Sequence, residues 1–393
     1  MIRAASLQTM EIDDVTLACH ELKEQMNQKL TLLKNSVGLI QCAPEFIEAG
    51  IVEPLYRELG VPLAGGTTVA TATDNNATGS LSFSMLVLTS DEVEFTTAHT
   101  TGLAADYRAS IARALGTARN RSAQQLALAL AFLPVFTNLS GDYYLDAIEA
   151  VCGKIPVFGT NLVDDNFPDF SQCLAICNDQ VLSGEMSCAL LFGAVNPRFF
   201  IAAVPPKSNL EGSDALITRA DDNVVYEINQ MTALKHFESL GLAAKGELKS
   251  GDDLLLPLLI TPDNAVNERP FVRGLLSICA DGSALCSGLM PVGAQITFGS
   301  NNGNDVVSST TAVITQAMQE KEINAALIFS CITRQLVIGI DSAKELKQIK
   351  QVFSPGVPFL AAYSGGEFAP TSVSGENLAQ NRYHNYSLIL CLL

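Results

Sequence analysis

Basic residues are scarce in this 393-residue chain: 24 lysines and arginines stand against 41 aspartates and glutamates, a net charge of −17. No Lys/Arg cluster forms a basic face, so nucleic acid is not an expected partner, because phosphate neutralisation needs one. An anionic membrane surface is set aside on the same ground. The acidic excess reads as a solubility device. Long apolar runs are missing too. The longest, LALALAFLPVF and LLLPLLI, are broken by proline and fall short of the roughly 18–20 residues that a membrane helix needs. MIRAASLQTMEIDDV, at the start, carries no apolar signal-peptide core. The expectation is a soluble, cytoplasmic protein.

Catalytic and metal signatures are also absent. The ten cysteines include no CxxC and no zinc-like spacing. Cys173 and Cys177, the closest pair, sit in a strand-like CLAIC. Cys42, Cys188, Cys331 and Cys391 fall in apolar runs, where cysteine acts as a small core residue in a reducing compartment. There is no G-x-S-x-G, no Walker A and no H-E-x-x-H.

What is present is apolar and patterned. Hydrophobic residues make up 48% and charged ones 17%, which excludes a disordered or fibrous chain. The length predicts two domains. Three similar phrases recur: GVPLAGGTT (60–68), GKIPVFGTN (153–161) and GVPFLAAYSGGEFAP (356–370). Each follows an apolar run (37–43, 126–132, 325–331) and a segment of helical spacing, and each opens a new strand with proline, the permitted place for it. A further run follows each, SLSFSMLVLTS, SQCLAIC and NYSLILCLL. The pattern predicts a mixed α/β fold in two domains, its sheets built from repeated strand–helix–strand units flanked by helices. The first domain spans 1–210, with units at about 37–100 and 126–206; the second spans 211–393. Residues 230–241 predict a helix and 273–300 a β-meander turning at ADGS.

Glycine at a strand end permits positive φ and exposes backbone amides, and ligands of α/β sheets sit beyond the carboxyl ends of strands. Gly65, Gly66, Thr67, Thr68, Gly159, Thr160, Asn161, Gly365, Gly366 and Glu367 are therefore candidate pocket residues.

The third unit resembles the C-terminal domain of the FIST family (F-box and intracellular signal transduction proteins). The resemblance rests on Phe329-Ser330-Cys331 with Arg334, on Tyr363 with Gly366 and Glu367, and on His384-Asn385 before the last strand. The first unit resembles the family's N-terminal domain, although Thr68 is followed by VATAT where an acidic residue is often found. The resemblance implies a non-enzymatic cytoplasmic sensor that binds a small molecule and regulates a signalling partner, a histidine kinase or a cyclic-di-GMP enzyme. It adds Cys331, Arg334, Tyr363, His384 and Asn385 to the candidates, and amino-acid-like ligands to the expectations. It also implies an alternative, a haem-binding nitric-oxide sensor.

The residues themselves leave choices open. Glu367 either binds a ligand ammonium or is a solvated loop carboxylate. Arg334 either clamps a carboxylate or pairs with Glu367. Tyr363 lines the pocket or belongs to the core. Haem needs an axial ligand; of the four histidines, His20 and His236 read as exposed on polar helices, leaving His99 and then His384. A cysteine-dependent hydrolase would use Cys331, His384 and Glu367 as nucleophile, base and orienter.

Overall fold

The computed structural model describes all residues except 76–77, 136–138, 167–169, 171, 208–214, 245–246, 249–255, 264–269, 342, 354–355 and 374–378. The fold is mixed α/β. Its body is a threefold repeat, and each repeat owns a six-stranded sheet. The first sheet runs, in spatial order, Arg3–Thr9, Phe83–Ser90, Asn35–Cys42, Leu63–Thr67, Leu174–Cys177, Gln180–Ser183. The second runs Glu94–His99, Ser187–Phe192, Leu126–Leu133, Val157–Asn161, Glu367–Val373, Ala379–His384. The third runs Arg198–Ala202, Leu388–Leu392, Ala326–Cys331, Phe359–Ser364, Thr71–Thr73, Thr78–Gly79. In each, the third and fourth strands are parallel and the other pairings antiparallel.

The last two strands of every sheet come from another repeat. The hairpin that follows the glycine phrase of repeat one completes sheet three, that of repeat two completes sheet one, and that of repeat three completes sheet two. This cyclic exchange ties the three repeats together and explains one departure from the sequence reading. SQCLAIC is the exchanged strand, not the counterpart of SLSFSMLVLTS; that role belongs to Ser187–Phe192, which returns beside Leu126–Leu133.

Each repeat also carries a long helix between its edge strand and its first parallel strand: Val15–Lys29, Tyr107–Arg119 and Gly303–Ala317. All three start on a side-chain cap, Asp14, Asp106 and Asn302, whose carboxylate or amide oxygen accepts from a backbone N–H two or three residues on. Helices cover the outer faces, and the inner faces of the three sheets meet in one core. Leu39, Phe132, Phe158, Phe329 and Leu360 belong to it, with the Phe158 and Phe329 rings 5.5 Å apart.

A second body, also β-rich, is inserted between the edge strand Arg198–Ala202 and helix Gly303–Ala317. Its sheet runs Ala215–Asp221, Gln295–Phe298, Pro257–Thr261, Phe271–Ile278, Ala284–Cys286, Val224–Ile228, Met231–Thr232, all antiparallel. Ala215–Asp221 pairs again with Val224–Ile228, which closes the sheet into a small barrel around its own core. The expected meander and the helix, Ala233–Ser239, are both here. His236 is a correction: it is 6% exposed, its ring stacks on Phe298, and burial lowers its pKa. The barrel hangs on two adjacent chain segments, Ser300 N–H donating to the Pro205 carbonyl and Lys207 N–H to that of Phe298. The expected boundary near residue 210 lies outside the described residues.

Candidate functional site

The glycine phrases serve the exchange of hairpins. A Cβ on Gly65 would lie 2.0 Å from the Ile40 carbonyl oxygen, and one on Gly159 would lie 1.9 Å from that of Ala131, the residues they oppose across the parallel pair. On Gly66 it would meet the Leu174 oxygen of the incoming strand at 2.5 Å. These glycines are there for close strand approach. Thr67 Oγ1 accepts from Leu174 N–H, and Thr68 Oγ1 donates to the Tyr363 carbonyl. Residues 65–68 are buried joints between repeats rather than cavity wall.

At the ends of the second and third phrases the chain does frame a space. A cavity of about 390 Å³ lies between the body and the barrel. Asn161, Gly365, Cys331 and Asn385 line it from the body, all four anticipated from the sequence, while Leu276 and Leu285 close it from the barrel. Tyr383 and Tyr386 also line it and were not singled out for it. Tyr383 packs over Gly366, where a Cβ would meet its hydroxyl at 2.1 Å, so this glycine makes room for the ring.

Glu367 stands beside this wall, fully buried, with Oε2 accepting from Ser387 Oγ at 2.7 Å and Oε1 unpartnered among the described residues. It is not a solvated loop carboxylate. Burial drives its pKa up, which outweighs the Ser387 and Ser364 hydrogen bonds and the more distant Arg334 charge. Cys331, 3% exposed, accepts a hydrogen bond from Thr333 Oγ1 at 3.0 Å; burial and the neighbouring Glu367 push its thiol pKa up.

Three other candidates lie away from the cavity. Arg334 is fully buried and pairs with Glu345 (Nη2 to Oε1, 2.8 Å), not with Glu367. Glu345, on the helix Lys344–Val352 and fully buried, carries no local signal that marks it. Tyr363 is buried beside the same pair and shares a hydrogen bond with Glu345. His384 is 2% exposed, its Nε2 donating to the Ala369 carbonyl at 3.1 Å; burial lowers its pKa to about 3. Held neutral and bonded to backbone, it is not a base for Cys331, whose thiol is itself disfavoured as a nucleophile.

Neither histidine suits haem. Among the described residues, the 390 Å³ cavity has no histidine in its wall, and His384 lines none of it. His99 borders a separate groove of about 250 Å³, below the roughly 300 Å³ at which ligand pockets begin. Among the described residues no three His, Cys, Asp or Glu side chains converge as metal ligands.

Arg273 joins barrel to body. It projects from Phe271–Ile278, is 1% exposed, and its Nη2 donates to both oxygens of Asp142 at 3.0 and 3.1 Å. Its Nη1 donates to the Tyr383 carbonyl at 2.6 Å. Asp142 opens the helix Gly141–Cys152 and also accepts from Leu289 N–H of the barrel. Nothing in the local sequence of either residue marks the pair, 131 positions apart. Asp142→Asn keeps the shape but removes the charge, and is expected to cost about 2–3 kcal/mol. Hydrogen exchange should then quicken in 271–278 before it does in the threefold body; unchanged exchange there would mean that the pair does not seat the barrel.

With this geometry the comparisons can be read. The FIST N domain model matches residues 36–231 and the FIST C domain model residues 232–370. The chain belongs to the FIST family. FIST domains point to a sensory or ligand-binding role. The join between the two matches falls inside the barrel, within its strand Met231–Thr232. Among solved structures, the chain is similar to a cyanuric acid hydrolase from A. caulinodans at 11% identity, TM-score 0.36, covering 100% of this chain and 99% of that one. It is similar too to a cyanuric acid hydrolase described as "evolutionary innovation by structural concatenation", at 8% identity, TM-score 0.37 and the same coverage. Likenesses this loose say nothing about activity. No curated protein matches. No helix among the described residues is long and apolar enough to cross a membrane.

Proposed function

We propose that this protein is a non-enzymatic sensor that holds a small ligand in the cavity between the threefold body and the barrel. The observation that carries the reading is the split wall: Asn161, Cys331 and Asn385 come from the body, Leu276 and Leu285 from the barrel. A ligand there touches both bodies at once. Its binding free energy therefore favours one seating of the barrel over others, which is all that a population shift requires. A separate signalling protein, such as a histidine kinase or a cyclic-di-GMP enzyme, would read that seating. The family's sensory role supports this part of the reading.

Melting curves against a small-molecule library test it. Thr333 is only partly buried at the cavity wall, so Thr333→Phe can place a ring in the space. A compound that raises the melting temperature of the wild type and not of this variant supports the cavity as the binding site. Compounds that stabilise both equally would place binding elsewhere. Turnover of an ester or amide panel, lost in Cys331→Ala, would overturn the non-enzymatic reading.

A further inference from the structure

We infer that the cavity takes an uncharged ligand carrying an N–H donor, an amide or a nitrogen heterocycle, whose N–H bonds the side-chain oxygen of Asn161. The inference rests on the cavity being the ligand site and goes further, to the ligand's chemistry.

Charge comes first. Among the described residues, no Asp, Glu, Lys, Arg or His lines the cavity. The two buried arginines near it are already committed, Arg273 to Asp142 and Arg334 to Glu345. A carboxylate ligand would therefore give up its hydration with no cation to receive it, and an amino-acid zwitterion would do so at both ends. An ammonium would need Glu367, whose burial favours the neutral acid. Charged ligands of either sign are thus disfavoured, the amino acids expected from the sequence among them.

The polar groups of the wall then decide between donors and acceptors. Several of them are already hydrogen-bonded within the protein. Ser140 Oγ donates to Asp142, Asn223 Nδ2 to the Cys286 carbonyl and Thr333 Oγ1 to Cys331; Ser287 Oγ accepts from Gly274 N–H. Asn161 is different. Its Nδ2 donates to the Pro134 carbonyl at 2.8 Å, which fixes the orientation of the amide, and its Oδ1 is buried without a partner among the described residues. The residue is 3% exposed. A buried acceptor left unpaired is costly and is normally matched. A ligand that brings an N–H matches it; one that brings only acceptors does not.

Four probes of one shape separate the outcomes by titration calorimetry: benzamide, N,N-dimethylbenzamide, benzoate and benzylamine, against the wild type, Asn161→Ala and Thr333→Phe. Benzamide is expected to bind, with N,N-dimethylbenzamide about tenfold weaker or more, the usual effect of one lost buried hydrogen bond. Asn161→Ala should level those two, and Thr333→Phe should abolish both. The primary-to-tertiary amide ratio in the wild type carries the test even where Asn161→Ala folds poorly. Benzoate or benzylamine binding more tightly than benzamide, and lost in Thr333→Phe, would overturn this inference while leaving the cavity as the ligand site. No cavity-dependent binding by any of the four would remove both.

Discussion

Arg334→Met is expected to destabilise the protein by about 3–5 kcal/mol, the range for breaking a buried ion pair from one side. Arg334 and Glu345 are both fully buried. The guanidinium Nη2 also donates to the Val306 carbonyl, to Ser309 Oγ and to Thr310 Oγ1 at 2.8–3.1 Å. Glu345 accepts in turn from Thr310 Oγ1 at 2.5 Å and Ser330 Oγ at 2.8 Å. Removing the arginine leaves a carboxylate in the core of repeat three with hydroxyl donors and no cation. Desolvation is then uncompensated, which is why one-sided removal costs more than the pair itself contributes. The double variant Arg334→Met with Glu345→Leu should recover most of the loss, because an apolar replacement of similar volume has no charge to solvate. Urea unfolding of the three proteins checks this. A single-variant loss under about 1 kcal/mol, or a double variant no better than the single, would mean that the pair is not the joint described here.

The strands were legible because they announce themselves locally: LALALAF, AALIFSC and LILCLL are apolar runs bounded by glycine, proline or polar residues. Three copies of one phrase revealed the repeat. The exchange of hairpins was not legible, since nothing in SQCLAIC says that its partner is Leu63–Thr67, about a hundred residues away. For the site, Asn161 and Gly365 could be found because they end strands of the repeat, and Cys331 and Asn385 through the resemblance to the FIST C-terminal domain. The glycines at 65, 66 and 159 carried the same signal for another reason, backbone crowding. A sequence shows that a Cβ is missing, not whether a ligand or a neighbouring carbonyl fills its place. The partners of Arg334 and Arg273 were beyond reach for the same cause: which acid an arginine meets is set by packing, and Glu345 and Asp142 emerge only once the helices are placed.

Glu367 should make the protein less stable as pH rises from about 5 to about 8. Burial raises this carboxyl from its ordinary 4.5 to about 8. The sign follows from proton counting. Below 4.5 the folded and unfolded states both hold the proton, and the group is neutral in each. Between 4.5 and 8 the unfolded chain releases it and the folded chain does not, so each pH unit in that window costs about 1.4 kcal/mol. Above 8 both states are ionised and the slope from this group ends. Glu367→Gln keeps a neutral side chain of the same shape that can still accept from Ser387 Oγ, and it removes the titration. The variant should therefore match the wild type near pH 4.5 and be progressively more stable than it up to pH 8. Melting temperature or urea stability at half-unit pH steps, taken as variant minus wild type, cancels every other group. Parallel curves from pH 5 to 8 would show that the carboxyl is not held neutral. A difference that opens with pH would establish an uncharged Glu367 beside the cavity at neutral pH.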